Sequence, residues 1–440
     1  MSAPRSIAIE RELESYFDRL WPLMRSITGE GVRKTHDILG ELTQLKRIEV
    51  PSGSQVFDWT VPKEWVVNAA YLIDPHGKRV LDIADNTLHL VNYSTSFKGR
   101  VSREELDTHL FSLPELPEAI PYVTSYYRER WGFCLTQQQR DALPKGDYEV
   151  VVDTSHFDGA LTISEAVLPG TTDAEVLIST YTCHPSMANN ELSGPLLAAF
   201  LARRISGWPK RRLTFRFVFL PETIGAIAYL NMRGEHLRKK LIAGYVATCV
   251  GMDTQFTYQR SQRADTLADR AALYALKTSG VHYAARDFRP TGSDERQYCS
   301  PGFNLPVGTL MRGPFSEYPE YHTSLDNKKL ISFGALSEAV DVYENICRSL
   351  DCNETFKNTS PFGEPNLGKR GLYPTIGGKH GDMEHLLRAH AALWLCNQCD
   401  GARDLIAIAE RSGISLNILH SVARDCVEKG LFEVVGANAI

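Results

Sequence analysis

Apolar residues first recur at helical spacing, with Leu13, Phe17, Leu20 and Met24 on one face of a segment that predicts helix from about residue 7 to 46. The rhythm changes at Pro51-Ser-Gly-Ser54. From Val56 to about Val101 the chain runs in short strand-like stretches such as Trp65-Val-Val and Leu88-His-Leu-Val-Asn-Tyr93, punctuated by turns such as Asp74-Pro75-His76-Gly77. These features predict a separate β-rich lobe over 53–120, with Trp59, Trp65 and Tyr93 outside the core of the larger domain that it interrupts. From about Tyr148 to Leu350 the period alternates. Strands are expected near 149–153, 176–181, 213–220, 244–250, 282–288 and 305–311, with helices near 195–205, 223–233, 265–279 and 328–349. Such alternation predicts an α/β domain over 1–52 and 121–356, its largely parallel sheet flanked by helices. A linker is expected at Pro361-Phe-Gly-Glu-Pro-Asn-Leu-Gly368. The segment 362–440 then has winged-helix spacing, with a core expected from Leu386, Leu387, Leu393, Leu405, Ile406, Ile408, Leu416, Leu419, Val422 and Val427.

Composition narrows the partners. A chain of 440 residues with formal charge −5 exceeds one core's usual size and has no global attraction for nucleic acid or anionic membranes. From Gly381 onward five basic residues face eight acidic ones, so DNA is not an expected partner of the winged helix, and a packing or assembly role is expected instead. The nine cysteines are scattered, and Cys396-Asn-Gln-Cys399 has no second pair, so ordinary thiols are expected. No signal-like or membrane-length apolar run is present, which predicts a cytoplasmic address. An insert of this kind commonly builds a subunit contact, so a homo-oligomer is expected.

The chemistry concentrates in three stretches. Ser179-Thr-Tyr-Thr-Cys-His184 carries a histidine out of a buried strand, before Ser193-Gly194 opens an apolar helix. Leu213-Thr-Phe-Arg-Phe-Val-Phe-Leu220 ends in Pro221-Glu222-Thr223, and Glu320-Tyr-His-Thr-Ser-Leu-Asp326 precedes a further helix. Polar groups at the carboxyl ends of strands are where open α/β sheets build sites. Two histidines and a carboxylate so placed suggest a metal-assisted hydrolase.

These stretches, together with Phe57-Asp-Trp-Thr-Val-Pro-Lys-Glu-Trp65 and Tyr122-Val-Thr-Ser-Tyr-Tyr-Arg-Glu-Arg-Trp-Gly-Phe-Cys134, carry a resemblance. The central domain resembles zinc aminopeptidases of the bacterial leucyl type, whose superfamily includes glutaminyl cyclases. Nearly the whole chain is similar to bacterial aminopeptidase-like proteins of polysaccharide-biosynthesis clusters. The resemblance implies a phosphorylase/hydrolase-like fold with a β-rich insert and a winged-helix tail. It implies His184, Asp253 and His322 as zinc ligands and Glu222 as general base. Two positions depart from the pattern. Asn190 stands where a metal-bridging aspartate is expected, and Thr223 where a second glutamate is. Two dications without those carboxylates repel strongly, so one zinc per chain is expected, with Glu191 able to substitute only by rotating in.

Substrate groups are less well marked. Arg312 could pair with an anionic group, Asp294 or Glu295 could hold an ammonium, and Arg296 and Tyr321 lie close by in the chain. Tyr126, Tyr127 and Trp131 could form an apolar wall, and Thr223 could be no more than a helix N-cap. The expected activity is zinc-dependent, aminopeptidase-like hydrolysis of a small peptide or acylated amino compound. Two other readings stay open: a single-zinc acyltransferase or cyclase, and a non-catalytic effector-binding regulator.

Overall fold

In a computed structural model the described residues are 3–373 and 383–435. An eight-stranded sheet organises the first 350 or so residues. Its strands run, in spatial order, Lys46–Pro51, Ala160–Leu168, Thr214–Leu220, Glu175–Tyr181, Leu241–Ala247, Val307–Arg312, Phe256–Gln259 and Tyr283–Arg286. The middle is parallel, from Thr214–Leu220 through Glu175–Tyr181 and Leu241–Ala247 to Val307–Arg312, whereas Lys46–Pro51, Ala160–Leu168 and Phe256–Gln259 enter antiparallel pairings. Thr214–Leu220 and Glu175–Tyr181 are buried along their whole length, as β-branched and aromatic runs in a sheet covered on both faces should be.

Alternation along those strands divides the core. Val176, Ile178, Phe215, Phe217 and Phe219 face one apolar cluster, formed with the helices Ser193–Ser206, Leu267–Ser279 and Phe333–Cys352. Leu177, Val218 and Leu220 face another, formed with the helix Ile224–Lys240 and the inserted strands. Trp65 and Tyr93 are buried in this second cluster, which also holds Leu161 and Leu177, whereas Trp59 is exposed as expected; the insert has a four-stranded sheet of its own but shares part of its core with the larger domain. The predicted strand near 149–153 also lies elsewhere. Asp147–Phe157 pairs with Glu64–Ile73 and Phe97–Ser102 in the insert's four-stranded sheet. It then turns at Asp158-Gly159 into Ala160–Leu168 of the main sheet, which ties the two sheets together.

The C-terminal module begins earlier than its expected boundary. Thr355–Asn358 is the central strand of a three-stranded sheet, between Asp400–Asp404 and Phe432–Val435. The helices Met383–Gln398, Leu405–Ser412 and Leu416–Glu428 complete it. Leu405, Ile406, Ile408, Leu416, Leu419 and Val422 are buried as expected. On the first helix, Ala389, Ala391, Ala392 and Leu395 are buried instead, while Leu387 is exposed and Leu386 and Leu393 are half-buried. The module docks on the main domain: Arg270 donates twice to Asp404, at 3.0 and 2.6 Å, and the Leu416 N–H donates to Tyr274 Oη at 3.1 Å. Among the described residues no helix is long and apolar enough to cross a membrane.

Candidate active site

His184 leaves the end of Glu175–Tyr181 and is almost wholly buried. Its Nδ1 donates to Glu191 Oε2 at 2.9 Å, with Cys183 Sγ at 3.4 Å. That bond turns the opposite ring nitrogen, Nε2, toward Glu222, whose Oε2 lies 3.7 Å away. Behind this pair Arg25 is completely buried. Its Nε donates to the His184 carbonyl at 2.8 Å and stands 3.7 Å from Glu191 Oε1. The His322 ring is 5.4 Å from that of His184, stacks on Tyr321 at 4.0 Å and meets Tyr122 edge-on at 5.4 Å. Burial opposes charge on His184, yet Cys183 and Glu191 outweigh it and push its pKa up. For His322 burial and the neighbouring His184 act together, holding its pKa down at about 3, so this ring is neutral. A recess of about 350 Å³ opens above these groups and is lined by Trp59, Tyr122, Tyr126 and Tyr127 as well as by His184, Glu222 and His322. A larger recess, about 570 Å³, lies between the main domain and the C-terminal module and contains none of these groups.

The position held by Asn190 is neutral and already occupied. Its Oδ1 accepts from Tyr181 Oη at 3.0 Å, and Thr248 Oγ1 stands 2.5 Å from the same hydroxyl. The turn carrying Asn190 is held by Asp326, which accepts the N–H groups of Ala188, Asn189 and Asn190 at 3.2, 2.7 and 2.9 Å. Burial lifts the Asp326 pKa to about 6 despite those bonds.

Several expected site residues lie elsewhere. The Asp253 side chain is 82 % exposed and pairs with Arg312 at 3.3 Å, away from His184. Its strand stops at Ala247, so Thr248 and Cys249 sit beside Asn190 and Asp253 falls beyond the turn. Arg312 is spent on structure. Its guanidinium donates to the Thr254 carbonyl at 2.8 Å, the Ala335 carbonyl at 3.2 Å and Glu338 at 2.5 Å, while lying over Phe256. Glu191 backs His184 and does not stand in for Asn190. Trp131 stacks between Phe97 and His109, outside the recess.

Asp294 and Glu295 are fully buried beneath Glu222 and do not line the recess. Asp294 Oδ1 accepts the Thr223 N–H at 2.7 Å, and Glu295 Oε1 accepts from Gln259 at 3.0 Å. Burial and nearby Glu222 push Asp294 well up, and burial lifts Glu295 to about 7. Arg296 Nη2 donates to Thr223 Oγ1 at 3.0 Å. Thr223 makes no side-chain cap for the helix it precedes. It adopts φ 63°, ψ −77°, and the Ile224 N–H donates back to the Glu222 carbonyl at 2.8 Å. That is the strained form of the γ-turn, and for a β-branched residue it costs on the order of 1–3 kcal/mol.

Sequence reasoning missed Arg25, Cys183, Tyr122, Thr248 and Asp326. Tyr122 lay inside a stretch already singled out, and Asp326 closes another. Arg25, in contrast, follows an ordinary helix and nothing local marks it.

With the geometry in hand, comparison with known proteins places the chain. A family model described as a domain of unknown function (DUF4910) matches residues 15–353. The chain belongs to this family. A winged helix-turn-helix model matches residues 354–434. A Clostridium acetobutylicum protein, provisionally described as a polysaccharide biosynthesis protein with an aminopeptidase-like domain, is 43 % identical over 403 residues, 92 % of each chain. A crystal structure from Clostridium acetobutylicum, provisionally described as a peptidase, is 39 % identical with TM-score 0.88 over 98 % of each chain. The zinc aminopeptidase BSAP of Bacillus subtilis shares the fold at TM-score 0.54 and 12 % identity, covering 78 % of this chain and 94 % of its own. The aminopeptidase from Aneurinibacillus sp. strain AM-1 does so at 0.51 and 13 %, covering 78 % and 93 %. This is an aminopeptidase-like hydrolase fold with a β-rich insert and a winged-helix module.

Proposed function

We propose that the protein hydrolyses an amide bond in a small substrate, with Glu222 as general base and one divalent metal held by His184 and His322. The observation that carries this is the approach of Glu222 to the Nε2 side of His184, 3.7 Å away, on an aromatic-lined recess. Glu191 holds Nδ1 as the donor, so Nε2 is the nitrogen that a single ion would take in place of its proton. A two-metal centre does not fit: Asn190, Thr223 and Thr248 are neutral, and Asn190 is already bonded to Tyr181. Cys183, His184 and Glu191 have donor atoms within 4.8 Å of one another and could also hold a metal. Arg25 argues against an ion on that side, because its guanidinium faces Glu191 and burial keeps the Cys183 thiol protonated, with a pKa of about 11. We assign these groups to orienting His184.

A zinc ion, when bound, supplies Lewis-acid polarisation of the scissile carbonyl. Glu222 takes a proton from the attacking water and returns it to the leaving amine. Trp59, Tyr126 and Tyr127 exclude bulk water and offer flat faces to an apolar or sugar substituent. The polysaccharide-linked name of the Clostridium relative favours an N-acylated amino sugar or amino acid over general peptides. The C-terminal module we read as a packing unit, because the helix Leu416–Glu428 turns its N-terminus onto Tyr274 of the main domain, the end that a winged helix would present to a DNA groove.

The test combines metal analysis with a panel of aminoacyl, acyl-amino-acid and acyl-amino-sugar amides. One zinc per chain is expected, lost in His184→Ala and His322→Ala. Glu222→Gln is expected to keep the metal and lower turnover by about 10²–10⁴-fold. Near-full activity of Glu222→Gln would falsify the base assignment.

A further inference from the structure

We infer that Asp294 and Arg296 form a lock that holds Thr223 in its strained turn and thereby aims the Glu222 carboxylate at the recess. This rests on the reading of Glu222 as the base.

Four observations converge on Thr223. Its φ of 63° is one that a threonine does not adopt without restraint. The turn is closed by the Ile224 N–H on the Glu222 carbonyl, so rotation at Thr223 swings Glu222 directly. Both polar handles of Thr223 are gripped from the same short segment: Asp294 Oδ1 takes its N–H at 2.7 Å, and Arg296 Nη2 reaches its hydroxyl at 3.0 Å. Lastly, Asp294 is fully buried with Oδ2 unpartnered, a cost that its bond to Thr223 offsets only in part. A buried carboxyl group with one unmet oxygen, bonded to the backbone of the one strained residue beside Glu222, is placed to position that residue. A relaxed turn would move the carboxylate from His184, and displacement of about 1 Å suffices for a loss near 10²-fold in a positioned reaction. Asp294 and Arg296 are thus positioning residues, acting through Thr223 and outside the recess.

The test reads geometry first, so that it does not depend on knowing the substrate. Crystal structures of Asp294→Ala, Asp294→Asn and Asp294→Ala/Thr223→Gly would be compared with the parent. Asp294→Ala is expected to bring Thr223 to negative φ and to carry Glu222 away from His184 by about 1 Å or more. Asp294→Asn keeps an oxygen acceptor for the Thr223 N–H and is expected to keep the turn. Glycine tolerates positive φ, so the double variant is expected to restore the Glu222 position. On the best amide from the panel, Asp294→Ala is expected to lose kcat by ten- to a hundredfold with KM little changed, and the added glycine to recover most of it. An unmoved Thr223 in Asp294→Ala, or no recovery with glycine, overturns the lock. If Asp294→Ala fails to fold, Arg296→Ala and Thr223→Gly carry the same geometric comparison, and an unshifted Glu222 in Arg296→Ala overturns the role of Arg296. A lock that behaves as expected beside a fully active Glu222→Gln would reject only the base assignment.

Discussion

The surroundings of His184 and the C-terminal module treat the same physical constraints in opposite ways. Around the site, positive φ falls on Ser186, Thr223, Cys249 and His322, and elsewhere in the main domain on residues such as Ala264, Asn304 and Ser316; from Thr355 onward, among the described residues, it falls on glycines alone, such as Gly401, Gly413 and Gly430. Buried carboxylates divide likewise. Near the site burial prevails and the pKa values of Glu191, Asp294, Glu295 and Asp326 are raised. In the module Glu354 is buried but less completely, and His420 at 3.1 Å and Arg424 at 2.5 Å overcome that burial, so its pKa is lowered. Orphaned buried atoms follow suit, with Arg25, Glu191, Asp294 and Glu295 on the site side and Gln398 in the module. The module is consistent at each level, which is what a packing unit requires. Strain and unmet polarity gather where a reaction needs groups held away from their preferred states.

The largest effect expected from breaking this contrast is at Asp326. Asp326→Ala strips the acceptor from the buried N–H groups of Asn189 and Asn190 and from the Tyr318 hydroxyl, while Ala188 keeps the main-chain carbonyl of residue 326, so a loss of roughly 3–5 kcal/mol is expected in urea unfolding. Asp326→Asn keeps an oxygen there and should lose much less. A loss under about 1 kcal/mol in the alanine variant would mean that the 188–190 turn holds itself.

Next in size is the pH response, where the two regions should separate by window. Glu295 has its folded pKa raised to about 7 from an ordinary value of 4.5. Its protonated form is the one that folding favours. The stability it contributes is therefore present below about pH 4.5 and lost as pH rises through 7, up to about 3 kcal/mol. His420 has its pKa raised to about 9 by Cys352 and Glu354, so its contribution is full below about 6.5 and lost as pH rises through 9. Thermal unfolding across pH should show Glu295→Gln flattening the lower window alone and His420→Gln the upper. A single variant that flattens both would merge the two regions into one electrostatic unit.

How far the sequence foretold this follows the same division. Periodicity located the buried strands 176–181 and 213–220 and the module's helices, because those segments obey one local rule throughout. It placed 149–153 in the wrong sheet, since pairing partners are set by tertiary contact and not by alternation. His184, Glu222 and His322 were legible from the ends of strands and the loop beside them, and the structure brings them together. Asp253 was not excluded beforehand because nothing in Thr248-Cys-Val-Gly-Met-Asp253 says that the strand ends at Ala247. Arg25 could not be found at all. Its importance comes from Glu191 and His184, more than 150 residues away, and long-range burial of a charge leaves no local mark.

The smallest expected effect is the most direct test of the contrast, because one substitution should gain stability where its mirror loses it. Gly413 sits at φ +70° with open space where a side chain would go, so Gly413→Ala meets no clash and reads backbone preference alone. Left-handed backbone costs an L-residue about 1–2 kcal/mol, offset in part by the reduced freedom of the unfolded chain, so a net loss near 1 kcal/mol is expected. Thr223→Gly runs the other way. It removes the strain at φ 63° but gives up the hydroxyl contact with Arg296 and adds chain entropy to the unfolded state, leaving a gain of roughly 0.5–1 kcal/mol. Urea midpoints measured side by side give both signs. If Thr223→Gly destabilises as Gly413→Ala does, the threonine is comfortable in its turn, and strain is not what distinguishes the site from the module.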